Sequence, residues 1–353
     1  MATVANVTPK VAPSMGDTQA TSTVRYDAGM LVFAVWFFVG LFLDGAAHNR
    51  GAVDSFFTPW HLILYSGFTA CAGWIMWGWS RNLGKGYTLF NAIPRGYKMS
   101  VVGAAVFAVG GVLDLIWHTV FGIERGFEAL VSPSHLILAL GLFLIMNGPF
   151  RAAWWRPNPK SNTLWAQLPM VLSLIFTFSI LTFFTMSLNP LGDDVAGKNY
   201  IQGLSGVSLS DFITAAFSMF LLQSAIISGC LLMAMRRWVL PFGTVTLYLT
   251  LNMLAMAFIA SKYEYLPIAI ITGLVADTLI TLTKPSPSNP LPLRLVAFVV
   301  PGLFYLLYFV VLSSTQGVWW SVPLWSGAFV MSGAVGVLLS YLMVPSPELT
   351  AAN

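Results

Sequence analysis

Apolar runs of about 20 residues, separated by short polar connections, follow one another along nearly the whole chain. They fall at 28–47, 59–80, 98–121, 132–151, 164–188, 211–235, 240–260, 265–283, 292–313 and 318–344. Each run is continuously apolar rather than alternating, which predicts membrane-crossing helices and argues against the strands of a barrel. The expected fold class is all-α, a polytopic transmembrane helical bundle with about ten spans. Residues 1–27 are polar and lack an apolar signal core, so they read as a frayed cytoplasmic tail, and 345–353 as a second tail. The apolar part divides into a four-helix region, 28–151, and a six-helix C-terminal membrane region, 152–344.

Composition agrees with this pattern. Charged residues make up 8% of the 353 residues and hydrophobic residues 57%, where a soluble domain carries about 25% charge. The lipid bilayer is therefore the first expected partner. With the N-terminus in the cytoplasm and ten alternating spans, only Arg50, Arg125, Lys198 and Lys262 of the 17 Lys and Arg face outward; the other 13 face the cytoplasm. This is a positive-inside bias. It accounts for the net charge of +4 without invoking nucleic acid, for which no basic patch interleaved with aromatics is present. Cys71 and Cys230 fall inside spans and read as small buried apolar residues.

The polar positions inside the apolar pattern are not scattered. All four histidines lie in LDGAAHNRGAVDSFFTPWHLIL (43–64) and LDLIWHTVFGIERGFEALVSPSHLIL (113–138). Gly40, Asp44 and His48 match Gly110, Asp114 and His118. After a four-residue length difference, Asp54 matches Glu128, Thr58-Pro59 matches Ser132-Pro133, His61 matches His135 and Gly67 matches Gly141. Five of the 13 acidic residues, Asp44, Asp54, Asp114, Glu124 and Glu128, belong to these two units.

Helical geometry gives the spacing a meaning. Asp and His at i and i+4 share a face one turn apart. Thr58 and Ser132 are N-cap residues followed by Pro at the first helical position, which places His61 and His135 in the first turn of the following helix. Each unit is then a helical hairpin with two histidines near its apex, and both apices fall on the non-cytoplasmic side. An ionisable cluster at a membrane is costly and points to function. Imidazole with carboxylate suits copper, zinc or iron; haem is the rival cofactor, although a haem ligand does not require an acid one turn away. Asp44 and Asp114 are ligands or orient an imidazole; Asp54, Glu124 and Glu128 are alternate or supporting groups.

These stretches resemble the C subunit of the copper-containing membrane monooxygenases, the particulate methane and ammonia monooxygenase family. That subunit carries D-x3-H-x12-H in a helical hairpin with Thr-Pro-x-His opening the second helix, a spacing that Asp44, His48 and His61 reproduce. The resemblance covers roughly residues 30–150 and implies copper ligation by Asp44, His48 and His61. It also implies a second site at Asp114, His118 and His135, with Asp114 where the family has Asn and a longer loop before His135. Glu128 falls at the family's acidic position. The implied function is O₂ activation at copper to oxidise a small apolar or nitrogenous substrate. Other membrane monooxygenase-type subunits, or a metal or electron donor, would be partners.

Two other functions stay open on the residues alone: a non-catalytic protein for metal binding or delivery, and a transporter that uses the His/Asp cluster. Asp277, inside the predicted span GLVADTLITL, is structurally paired or part of an ion or proton path; Asn252, Lys262, Tyr263 and Glu264 are its neighbours in sequence. The loop at 189–210 is expected to lie outward and to cover the site or dock a partner. The expected location is a bacterial or archaeal inner or plasma membrane, with the metal site near the non-cytoplasmic face.

Overall fold

A computed structural model describes residues 18–52, 58–124, 126–157, 163–201 and 208–344. The first half comprises α1 (Val24–Asn49), α2 (Pro59–Leu83), α3 (Lys98–Phe121), a short α4 (Phe127–Val131), α5 (Pro133–Met146) and α6 (Gly148–Trp154). The second begins with α7 (Leu164–Phe184), two single turns, α8 (Pro190–Asp193) and α9 (Lys198–Ile201), and α10 (Leu209–Met235). It ends with α11 (Thr244–Ala260), α12 (Leu266–Thr283), α13 (Pro290–Thr315) and α14 (Val322–Met343). No strand forms among the described residues; two isolated bridges join loops.

Among the described residues, seven helices are long and apolar enough to cross a membrane: α1, α3, α7, α10, α12 with its preceding turn, α13 and α14. α5 and α6 make an eighth if counted together, bent by 41° at Asn147-Gly148-Pro149, where proline cannot extend the hydrogen-bond ladder. The helices thus account for seven or eight of the ten expected spans. α11 falls short at 17 residues. α2 has 25 residues, but its Trp, Gly, Ser and Thr dilute the apolar run.

The duplicated unit folds as two alike hairpins, α1 on α2 and α3 on α5, which are among the most extensively packed helix pairs. The matched glycines are why. A Cβ on Gly67 would lie 2.6 Å from Phe37 Cα, and one on Gly141 would lie 2.6 Å from Phe107 N. At the other crossing, a Cβ on Gly40 would lie 2.6 Å from Leu64 Cα, and one on Gly110 would lie 3.1 Å from the Leu138 side chain. The partners Phe37/Phe107 and Leu64/Leu138 are themselves repeat equivalents, so both hairpins cross at the same register. Small residues that let backbones meet are the usual device where lipid supplies no hydrophobic drive between helices.

Two hydrophobic cores result. One joins α1, α2, α3 and α5; the other joins α10 to α14. α7 serves both, giving Phe176, Ile180 and Phe183 to the first and Val171, Leu174 and Phe178 to the second.

The chain is ordered before the predicted first span. Ala20 is buried and exchanges backbone hydrogen bonds with Asn91 and Arg95, and Thr23 caps α1. Asp27, fully buried, accepts from Ser22 Oγ (2.5 Å), Tyr97 Oη (2.8 Å) and Arg156 Nη1 (2.5 Å). Residues 18–27 are therefore a clamp rather than a frayed tail, held because a buried carboxylate must be paired.

Candidate metal centre

α1 and α3 each stop at a glycine that takes a left-handed backbone, Gly51 (φ 66°) and Gly122 (φ 84°). α2 and α5 each start at a proline, after Thr58 and Ser132 in extended conformation. These boundaries put the last turn of one helix beside the first turn of the next. They bring together Asp44, His48 and His61 in one hairpin and Asp114, His118 and His135 in the other. In each triad one potential ligand atom per residue lies within 4.8 Å of the others.

In the first triad Asp44 Oδ1 is 3.0 Å from His61 Nε2 and 3.6 Å from His48 Nε2. In the second, Asp114 divides its oxygens, Oδ1 3.5 Å from His135 Nε2 and Oδ2 3.4 Å from His118 Nε2. All four imidazoles thus present Nε2 to an aspartate. The imidazole centroids are 6.2 Å apart in the first triad and 5.5 Å in the second.

The supporting groups differ from expectation. Ser132 does not cap α5; its hydroxyl lies 2.6 Å from His135 Nδ1 and holds that ring with Nε2 toward Asp114. Glu124 lies 3.4 Å from His118 Nδ1 and accepts a hydrogen bond from Trp117 Nε1. Glu128, which the repeat and the resemblance favour, is exposed on α4, and the ligand group forms without it. Asp54 lies outside the described residues.

Both triads open on one cavity of about 690 Å³ between the N-terminal hairpins and α7, α10, α11 and α13. Tyr65 stands between them, its ring centroid 6.3 Å from that of His61 and its edge against Gly111 of α3. No family model, curated protein or solved structure matches this chain.

The residues fit a cation. Asp44 Oδ1, Asp114 Oδ1 and Glu124 Oε2 are buried and accept no hydrogen bond from the described residues. The imidazole nitrogens stand at ion-pair range, 3.0–3.6 Å, from these oxygens. Buried carboxylate oxygens left this way are costly, and a bound cation between carboxylate and Nε2 would relieve the cost at both triads.

Asp277 stands apart from this site. Because α12 runs back along α11, its carboxylate reaches the start of α11. There it accepts from Val245 N (2.9 Å), Thr246 N (2.9 Å) and Thr246 Oγ1 (2.7 Å). It caps a neighbouring helix. Lys262, Tyr263 and Glu264 sit at the far end of α11, away from it. Lys262 instead pairs with Asp194 (2.5 Å), which also accepts from Tyr265 Oη and Gln316 Nε2 (2.8 Å). That hub anchors the segment after α7, of which Met186, Asn189 and Leu191 line the cavity. The described part of the 189–210 loop thus contributes Asn189, Leu191, Gly192 and Asp193 to the cavity lining. Sequence reading missed the cavity-lining Tyr65 and Gln223, since neither belongs to a motif.

Proposed function

We propose that this is a ten-span membrane protein, N-terminus in the cytoplasm, with copper at Asp44, His48 and His61 and at Asp114, His118 and His135. It would oxidise a small apolar or nitrogenous substrate alongside monooxygenase-type subunits or another electron donor. The observation that carries this reading is the pair of equivalent triads opening on one cavity. The positive-inside bias supports the orientation.

Bound copper would supply O₂ activation. The chain's own residues do the rest. Asp44 and Asp114 each set their carboxyl oxygens against two imidazoles. Ser132 and Glu124 engage the outward Nδ1 of His135 and His118, fixing ring orientation and keeping Nε2 for the ion. The segment after α7 supplies part of the cavity wall through Met186, Asn189 and Leu191. Asp277 is occupied as a helix cap, which removes its support for a transport path.

Metal analysis with EPR on the purified wild type, His48→Ala and His118→Ala tests the reading. Two copper ions per chain, falling to one in each variant, together with O₂-dependent product in membranes containing the partners, is the expected result. Protein prepared without chelator that holds no metal would sink it, and a Soret band would put haem in its place. Metal without turnover would leave metal delivery; flux into liposomes would make the protein a transporter.

A further inference from the structure

The cavity continues away from the triads into the six-helix half, where its chemistry changes. Asn252 of α11 donates through Nδ2 to Thr182 Oγ1 (2.6 Å) and Ser179 Oγ (3.2 Å). Thr182 spends its own proton on Ser179 O (3.1 Å), so it can only accept from Asn252, and the amide orientation is set. Gln223 of α10 is fixed the same way. Its Nε2 donates to the backbone oxygens of Thr185 and Leu188 (both 3.2 Å) and to Thr185 Oγ1 (3.0 Å), whose proton goes to Leu181 O (2.7 Å). Carbonyl oxygens cannot donate, so the amide nitrogen must face them.

The side-chain hydrogen bonds of both residues among the described residues run through the amide nitrogen, which leaves Asn252 Oδ1 and Gln223 Oε1 as open acceptors, and both residues line the cavity. Tyr305, buried and with no hydrogen bond at its hydroxyl among the described residues, lines the same cavity. All three are on helix interiors, roughly two to four turns from the helix ends at the triad side. The walls around them are apolar: Phe178, Ile227, Leu249, Met253 and Phe304. The charged lining residues, Asp44, Asp114, Glu124, Asp193 and Lys262, lie toward the triad side.

We propose that this inner end of the cavity binds a small, neutral, mainly apolar organic molecule through a single hydroxyl or amino group. Its proton is accepted by the side-chain oxygen of Asn252 or Gln223, and its lone pair meets the hydroxyl of Tyr305. Two preset acceptors and one hydroxyl match a group that both donates and accepts. A hydrocarbon would leave the amide oxygens dry, and a charged ligand would find no counter-ion at this end. The volume, about 690 Å³, is in the range of small-molecule sites. The inference names the substrate class for the proposed metal centre and rests on that reading only for what happens to the ligand once bound.

The test uses metal-free, chelator-treated full-length protein in nanodiscs, with ¹⁹F saturation-transfer NMR on 4-fluorobenzyl alcohol and 4-fluorotoluene, each corrected against empty nanodiscs. The alcohol should bind at least about tenfold more tightly than the toluene. Asn252→Leu and Gln223→Leu should each reduce that preference severalfold while toluene binding stays the same. Equal binding of the two probes to the wild type would overturn the proposal, and that comparison needs no variant to fold. A preference that survives both substitutions would overturn it as well. Because no metal is present, failure of the metal reading would not move these results.

Discussion

Phe37 and Phe107 meet edge to face, with ring centroids 5.0 Å apart and planes at 86°. They are equivalent positions of the two hairpins, and each is also the residue whose backbone its own hairpin's glycine approaches, Gly67 or Gly141. The duplicated units therefore touch through corresponding residues. The same two residues thus take part both in the crossing within each hairpin and in the contact between the hairpins.

Substituting these glycines should show how tightly that register is held. Gly67→Ala and Gly141→Ala put a methyl 2.6 Å from backbone atoms that cannot rotate away. Each should destabilise the protein by about 1–3 kcal/mol. Gly73→Ala, on the same helix as Gly67 with open space at the Cβ position, should be neutral or stabilising by up to about 1 kcal/mol. Thermal melts in detergent would compare them; equal effects at positions 67 and 73 would contradict the close crossing.

The second triad distinguishes the two acids of its loop. Glu124→Gln removes the carboxylate 3.4 Å from His118 Nδ1 and should weaken metal binding there by roughly 10–100-fold. Glu128→Gln alters an exposed side chain outside the ligand group and should leave affinity unchanged. Competition titration with a chromophoric chelator on a His48→Ala background would isolate this site.

Ser132→Ala tests whether the hydroxyl serves the ring or the helix. Its contact is with His135 Nδ1 at 2.6 Å, and it makes no cap hydrogen bond. Second-site affinity should fall by about tenfold with little change in melting temperature. A large loss of stability at unchanged affinity would mean that it acts as a cap.

Asp277→Ala should act on stability alone. The carboxylate satisfies the backbone N–H groups of Val245 and Thr246 at the start of α11, and losing it should cost about 1–3 kcal/mol. Metal stoichiometry at both triads should be unchanged. Loss of bound metal in a folded Asp277→Ala protein would link this residue to the site after all.

Much of this protein was legible in its sequence because the relevant signals are local. Long apolar runs, a Thr-Pro or Ser-Pro helix start and a D-x3-H spacing each act within a few turns. By themselves they determined an all-helical, membrane-type chain and two hairpins whose ends gather Asp44, His48 and His61, and Asp114, His118 and His135. Only the tertiary structure decided that Glu124 rather than Glu128 stands beside His118, that Asp277 caps α11, and that Lys262 pairs with Asp194. It alone also placed Asn252, Gln223 and Tyr305 on the cavity that both triads share. A helix that is apolar on every side carries no mark of which face meets which neighbour. Contacts between α7, α10, α11 and α13 are therefore set by side-chain packing across distant parts of the chain, which the period of the sequence does not encode.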